Sequence, residues 1–330
     1  MAVQTDRGPG TVDPDGPRSA RGLWRLTRIP GVDAVRARRI ADALPTWAAL
    51  ADADRPTLLR LGVAGLADRL RTVPDVSLPR TLDGIVLSAF DARYPAHLAA
   101  IPNPPALLWV EGSLPPDPGI AVVGTRTPSA YGCRVAHRAA HEVAATGAVL
   151  ISGMADGVDQ IAERTAVDAG GRVVSVLGGG LDRVPPRLAE HRDAILAAGG
   201  AVISEQPPGS APTRPSLDAR DRIQSGLSHT VVVAQAGLGG GTSATVRFAL
   251  VHGRRLVVPR PEPDSRHAAD PESALIMALG DPAGIDPAVL GLSGRQGARV
   301  ANRRPVADVV VRTGAELAAA LRSPSGMIAP

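Results

Sequence analysis

Six short apolar runs recur between Ile120 and Pro259 with a helical pattern between each pair. They read "IAVVG", "AVLISG", "RVVSVLG", "AVISE", "TVVVAQ" and "RLVVP". Runs this short and this uniformly apolar are strands buried on both faces, which a parallel sheet covered by helices on each side provides. The expected fold class is therefore α/β, a doubly wound, mostly parallel Rossmann-like sheet with five helices between six strands. In the first helical segment Val135, Ala139 and Val143 share the face expected to be buried, with His137, His141 and Glu142 off it. In the second, the buried face is expected to carry Ile161, Thr165 and Ala166.

Glycines fall at one place in this alternation. Gly124 ends the first run, Gly153 and Gly157 follow the second, and Gly178, Gly179 and Gly180 follow the third. Gly237, Gly239, Gly240 and Gly241 follow the fifth. All gather at the carboxyl edge of the expected sheet, where open α/β folds bind ligands and helix N-termini offer free N–H groups to anions. Each glycine also has a plain reading as part of a tight strand-to-helix turn; the set as a whole points to an anion site.

The ligand class is narrowed by what is missing. The turn "GTRTPSAYG" lacks the GxGxxG spacing of dinucleotide enzymes, and a chain without lysine has no GxxxxGK[ST] loop. No cofactor is expected. One cysteine, Cys133, excludes a disulfide framework and a Cys-rich zinc site. His137 and His141 stand four apart on a helix without an evident third ligand, so no metal is expected, and Cys133 is expected to be buried and inert. No apolar run is long enough to span a bilayer and no signal-peptide core opens the chain, so a cytoplasmic protein without membrane contact is expected.

Arginine placement favours a polymer over a single phosphate. The formal charge of the 330-residue chain is only +4, yet seven arginines against three carboxylates lie between Ala201 and Arg260. Arg126 adds to them from the first turn. Some are expected to face solvent or pair with aspartates, but a tracked sugar-phosphate backbone needs several guanidinium groups and one phosphate needs one or two.

The flanks read differently. Residues 1–20 are rich in Gly, Pro and charge and are expected to be disordered. Residues 21–75 read as a small all-α domain of helix-hairpin-helix type; Asp33 in its turn would repel phosphate, so packing is the favoured role. Residues 76–265 hold the Rossmann-like domain, entered through "GIVLSAF" and "ALLWVEG". Residues 266–330 read as an extension with a last strand and helix packed on the core.

Several ordered motifs carry a resemblance. "GTRTPSAYG", "ISGMADGVDQIAERTAV", "GGGLDRVPP", "SEQPPGSAPTRPSLDARDRIQSGLS" and "GGGTSATVRFALVHGR" resemble successive segments of the DNA-processing protein A (DprA, or Smf) family over roughly residues 25–260. The resemblance implies a non-catalytic, dimeric protein that binds single-stranded DNA, protects incoming strands and helps load a RecA-type recombinase in transformation. By position it implies phosphate contacts from Gly124, Thr125, Arg126, Ser129 and Gly132, and from the arginine pair Arg220 and Arg222. Gly153, Gly157, Gly240, Gly241 and Thr242 complete the expected DNA-binding set at the same sheet edge. The departures are specific: the family's FPxRNR reads Leu217, Asp218, Ala219, Arg220, Asp221, Arg222, which removes an aromatic and an asparagine, and Gln235 replaces a glutamate.

A competing reading is a nucleotide sensor or a nucleoside-monophosphate glycosidase of a related Rossmann family. Such enzymes carry a glutamate where this chain has Thr245 or Val246, so no catalytic residue is assigned. Asp156, Asp159, Asp182 and Glu205 near the sheet edge are read as caps and braces.

Overall fold

The structure, a computed structural model, describes residues 13–80 and 83–322. Nine strands form one sheet: β1 (Ile85–Ser88), β2 (Leu107–Gly112), β3 (Gly119–Gly124), β4 (Leu150–Ser152), β5 (Val173–Leu177), β6 (Ala201–Ser204), β7 (Ser228–Gln235), β8 (Arg255–Pro259) and β9 (Val309–Val311). Their order is β1-β2-β6-β5-β4-β3-β7-β8-β9. β2 alone runs antiparallel to its neighbours; every other pairing is parallel. The chain is thus α/β with a mostly parallel, Rossmann-like sheet. Winding proceeds outward from β3 through β6, then returns to lay β7 and β8 on the other side of β3. The order reverses between β3 and β7, which makes that junction the topological switch point.

Alternation along the central strands divides the interior in two. Ile120 and Val122 of β3, with Val232 and Ala234 of β7, face one layer. Helices Ala130–Ala145, Val158–Asp168 and Ala189–Ala197 pack there through Ala136, Ala139, Val143, Val158, Ala162 and Ile195. Ala121, Val123, Val231 and Val233 face the other, against Ile223 of helix Arg214–Gly226, Val246 and Ala249 of helix Gly241–Val251, and Leu275. Helices that change sides where the strand order reverses are what right-handed crossovers require.

The second crossover helix is rotated from its expected face. Its buried residues are Val158, Asp159, Ala162, Glu163 and Ala166, whereas Ile161 and Thr165 are half-buried. Two buried carboxylates shift the true inward stripe off the apolar pattern. Glu142, expected off the core, is also buried. It joins Arg138 of its own helix to Arg322 of the last helix (Gly314–Arg322) at 2.8 Å each. Cys133 is half-buried, not enclosed.

Residues 1–12 of the segment expected to be disordered lie outside the described residues. Asp13–Ser19 depart from that expectation: Gly16, Pro17 and Ser19 are buried, and the Trp47 indole donates to the Asp15 carbonyl at 2.5 Å. The helices that follow share the core of the sheet. Leu23, Leu26 and Ile40 join the same apolar layer as Trp109 of β2, and Trp24 meets Trp109 edge-on at 6.1 Å. Asp33 caps helix Ala34–Ala43 by accepting from the Arg36 amide. Among the described residues no helix is long and apolar enough to cross a membrane.

Candidate nucleic-acid interface

A cleft of about 840 Å³ opens at the carboxyl ends of β3 and β7, the switch point of the sheet. One wall is Val123–Arg126 and another is the loop Ala236–Gly240 leading into helix Gly241–Val251. The start of helix Arg214–Gly226 closes the third side. Of the expected DNA-binding set, Gly124, Thr125, Arg126, Arg220, Gly240, Gly241 and Thr242 line this cleft. Ser129, Gly132, Gly153, Gly157 and Arg222 do not.

The reasons are local. The helix start at Ser129 is already occupied by Gln235, whose Oε1 accepts from the Ser129 amide at 2.9 Å and from its hydroxyl at 3.2 Å. Gly132 makes room for that carboxamide: a Cβ there would lie 2.1 Å from Gln235 Oε1. The Thr125 amide donates to the Gln235 carbonyl, and the Thr127 amide to the Thr125 hydroxyl. Gly157 precedes helix Val158–Asp168, where the Val158 amide donates to the Thr125 carbonyl. Gly153 lies beneath the Arg220 guanidinium, with Nη1 only 1.3 Å from where a Cβ would stand. These residues build the rim from behind.

The second helix start is open to the cleft. Gly240 is the N-cap of helix Gly241–Val251, with no side-chain cap, so the first-turn amides keep their positive end toward the cleft. Neighbouring donors are incompletely satisfied: Ser243 Oγ and Gln224 Nε2 are buried without a hydrogen-bond partner, and Arg220 Nε and Nη1 meet only the charges of Asp221 and Asp159 without a well-aligned hydrogen bond. Buried polar groups are ordinarily paired, so this cluster is the least satisfied region of the cleft floor.

The two motif arginines, two positions apart, have separate fates. Arg222 departs from its expected place: it points out of the cleft and grips Glu205 through Nη1 at 2.7 Å and Nη2 at 2.5 Å. Its Nε donates to the Asn103 carbonyl, tying the end of β6 to the loop before β2. Arg220 stays at the cleft floor, buried between Asp221 (3.1 Å) and Asp159 (3.6 Å). Burial pushes the Asp159 carboxyl up to about 6 and the Asp221 carboxyl up to about 7, each opposed by the Arg220 charge. Further along, Arg254 donates to the carbonyls of Ser225, Gly226 and His97. Arg255 donates to that of Ala320 and Arg260 to that of Gly280.

Most of the basic stretch is thus structural. Among the described residues Arg126, Arg214 and Arg247 line the cleft without an ion pair, Arg247 resting over the Phe248 ring at 4.9 Å. Arg214 opens helix Arg214–Gly226 and Arg247 lies midway along helix Gly241–Val251; the count of basic residues included both, but nothing in the sequence set them apart from the arginines that turned out to be paired. Of the acidic candidates, Asp182 braces a loop through the Gly209 amide and Asp156 pairs with Arg187 and Gln160.

An open α/β sheet with a cleft at its switch point, lined by arginines without ion pairs and by an uncapped helix start, is the class that fold and site define together. Residues 85–277 match the family described as DNA recombination-mediator protein A, and the chain belongs to that family. It is 36% identical over 171 residues to the DNA processing protein DprA of Bacillus subtilis, covering 50% of this chain and 56% of that one. It is 34% identical over 188 residues to Protein Smf of Synechocystis, covering 55% and 47%. The chain spans about half the length of the curated relatives it matches. The fold is similar to that of DNA processing protein A from Streptococcus pneumoniae, with a TM-score of 0.64 at 22% identity over 91% of this chain and 97% of that one.

Proposed function

We propose that this protein binds single-stranded DNA in the switch-point cleft, without catalysis, to protect incoming strands and pass them to a RecA-type recombinase. It would do so as a cytoplasmic homodimer. The observation that carries the reading is the convergence of Arg126, Arg214 and Arg247 with the uncapped start of helix Gly241–Val251 on one open cleft. Guanidinium forks and helix-start amides are complementary to successive phosphates, and they come from distant stretches of chain. A glycosidase would need a free carboxylate over the bound sugar. Glu205 is held by Arg222, and Asp159 and Asp221 flank Arg220, while Asp218 and Glu272 line the cleft without an ion pair among the described residues, so the reading without turnover rests on Thr245 and Val246 standing where such enzymes carry their glutamate.

The test is oligonucleotide affinity measured against salt. About 0.7 is expected in the log–log slope for each phosphate contact to a single strand. The triple variant Arg126→Ala, Arg214→Ala, Arg247→Ala should flatten the slope by about 2. A variant that binds and titrates like the parent overturns the assignment, and release of free base from a nucleoside monophosphate by the purified protein would replace it with the enzymatic reading.

A further inference from the structure

The cleft has an apolar lip, and part of it comes from chain beyond the family-matched region. Five large apolar side chains are exposed among the described residues, and two of them, Leu238 (52%) and Val289 (40%), line this one cleft. Leu238 rides on the glycine loop before helix Gly241–Val251. Val289 belongs to the short 3-10 turn Pro287–Leu290, past the matched residues 85–277.

Neither side chain is exposed for want of a core to enter. Next to Val289, Leu290 is 2% exposed and Leu292 is 4% exposed, both packed in the layer beneath. Asp286 caps the turn by accepting from the Ala288 amide at 2.9 Å, and the Leu292 amide donates to the Pro287 carbonyl at 3.0 Å. The turn is fixed at both ends with Val289 held outward. Behind the other lip, the Leu275 amide donates to the Ala236 carbonyl at 2.9 Å, anchoring the start of the glycine loop.

Resting on the single-strand reading above, we propose that Leu238 and Val289 form an aliphatic seat for the bases of the bound strand. The segment after residue 277 then supplies half of the base-contacting surface. The lining selects this occupant: Arg126, Arg214 and Arg247, without ion pairs among the described residues, offer guanidinium groups to phosphates in a cleft that Asp159, Asp218, Asp221 and Glu272 also line, while the lip calls for a flat apolar partner. A nucleotide presents both at once. None of the residues lining the cleft is aromatic, so the stacking platforms on which single-strand sites usually rely are missing here. Aliphatic contact with base faces fills that place, with little discrimination between bases because every base offers a flat face.

The test compares a twelve-residue oligothymidylate with an abasic strand of equal length. The variants are Leu238→Ser with Val289→Ser, and the near-isosteric Val289→Thr. The parent is expected to prefer the base-bearing strand. The double variant should lose about tenfold on it and less than about twofold on the abasic strand, with an unchanged melting temperature. Val289→Thr should show about half of that loss on a logarithmic scale. An equal loss on both strands, or none on either, overturns the base seat while leaving the phosphate site standing. A parent that binds neither strand overturns the single-strand reading and the base seat with it.

Discussion

Replacing Asp221 by asparagine should tighten binding of a single strand at pH 8 and do little at pH 6. Four carboxylates, Asp159, Asp218, Asp221 and Glu272, line the cleft beside Arg126, Arg214, Arg220 and Arg247, so its formal charge cancels. Asp221 is buried and its carboxyl is pushed up to about 7, mainly by desolvation. At pH 8 it is mostly charged and repels an incoming phosphate. Across about 8 Å in a partly screened cleft one charge is worth about 1 kcal/mol, or about fivefold in affinity. By pH 6 the parent has largely neutralised the group itself, and the advantage of the asparagine should vanish. The assay is fluorescence anisotropy with a labelled oligonucleotide at both pH values and one ionic strength. A gain of equal size at pH 6 and pH 8, or no gain at pH 8, would refute the electrostatic argument. The linkage to stability has a definite sign as well. A carboxyl at 3.8 in the unfolded chain and about 7 in the fold binds more protons when folded, so its contribution is lost as pH rises from about 4 to about 7. Asp221→Asn should flatten that fall in melting temperature.

Gly153→Ala should both destabilise the fold and displace Arg220, because the new methyl would fall 1.3 Å from Nη1; a lowered melting temperature and weakened oligonucleotide binding are expected, and a neutral result would contradict the close approach. Glu163→Gln should loosen the loop after β4, since the buried Glu163 carboxylate accepts from the Met154 amide at 3.0 Å and from Ser175 Oγ at 2.7 Å and faces His191 Nε2 at 2.7 Å. Met154 sits at φ 55, a backbone region that needs such bracing. A loss of about 1–3 kcal/mol by denaturant titration is expected, and a change within error would show the network to be dispensable.

The strand-helix alternation was legible because parallel strands buried on both faces read as plain apolar runs: Ile120–Val123 and Val231–Ala234 are all at most 3% exposed. Strand order was not, since pairings such as β3 with β7 join residues more than a hundred positions apart. The edge where glycines gather was legible too, but their roles were not: Gly132 and Gly153 answer to Gln235 and Arg220, contacts that exist only after folding. Charge counting along the chain misled most. Arg220 and Arg222 share one motif, and burial sends one to the cleft floor and the other to Glu205, while Arg214 and Arg247, counted only as members of the basic stretch, line the cleft without an ion pair. The helix Val158–Asp168 was misoriented in sequence because Asp159 and Glu163 point inward, against the apolar stripe.

Where a strand lies on the protein can be read by amide hydrogen exchange with and without a saturating oligothymidylate. Slowed exchange concentrated at Gly239–Ser243 and Arg126, with little change over Arg28–Arg36 of the N-terminal hairpin, is the predicted outcome. Protection over that hairpin with the cleft amides exchanging as before would contradict it.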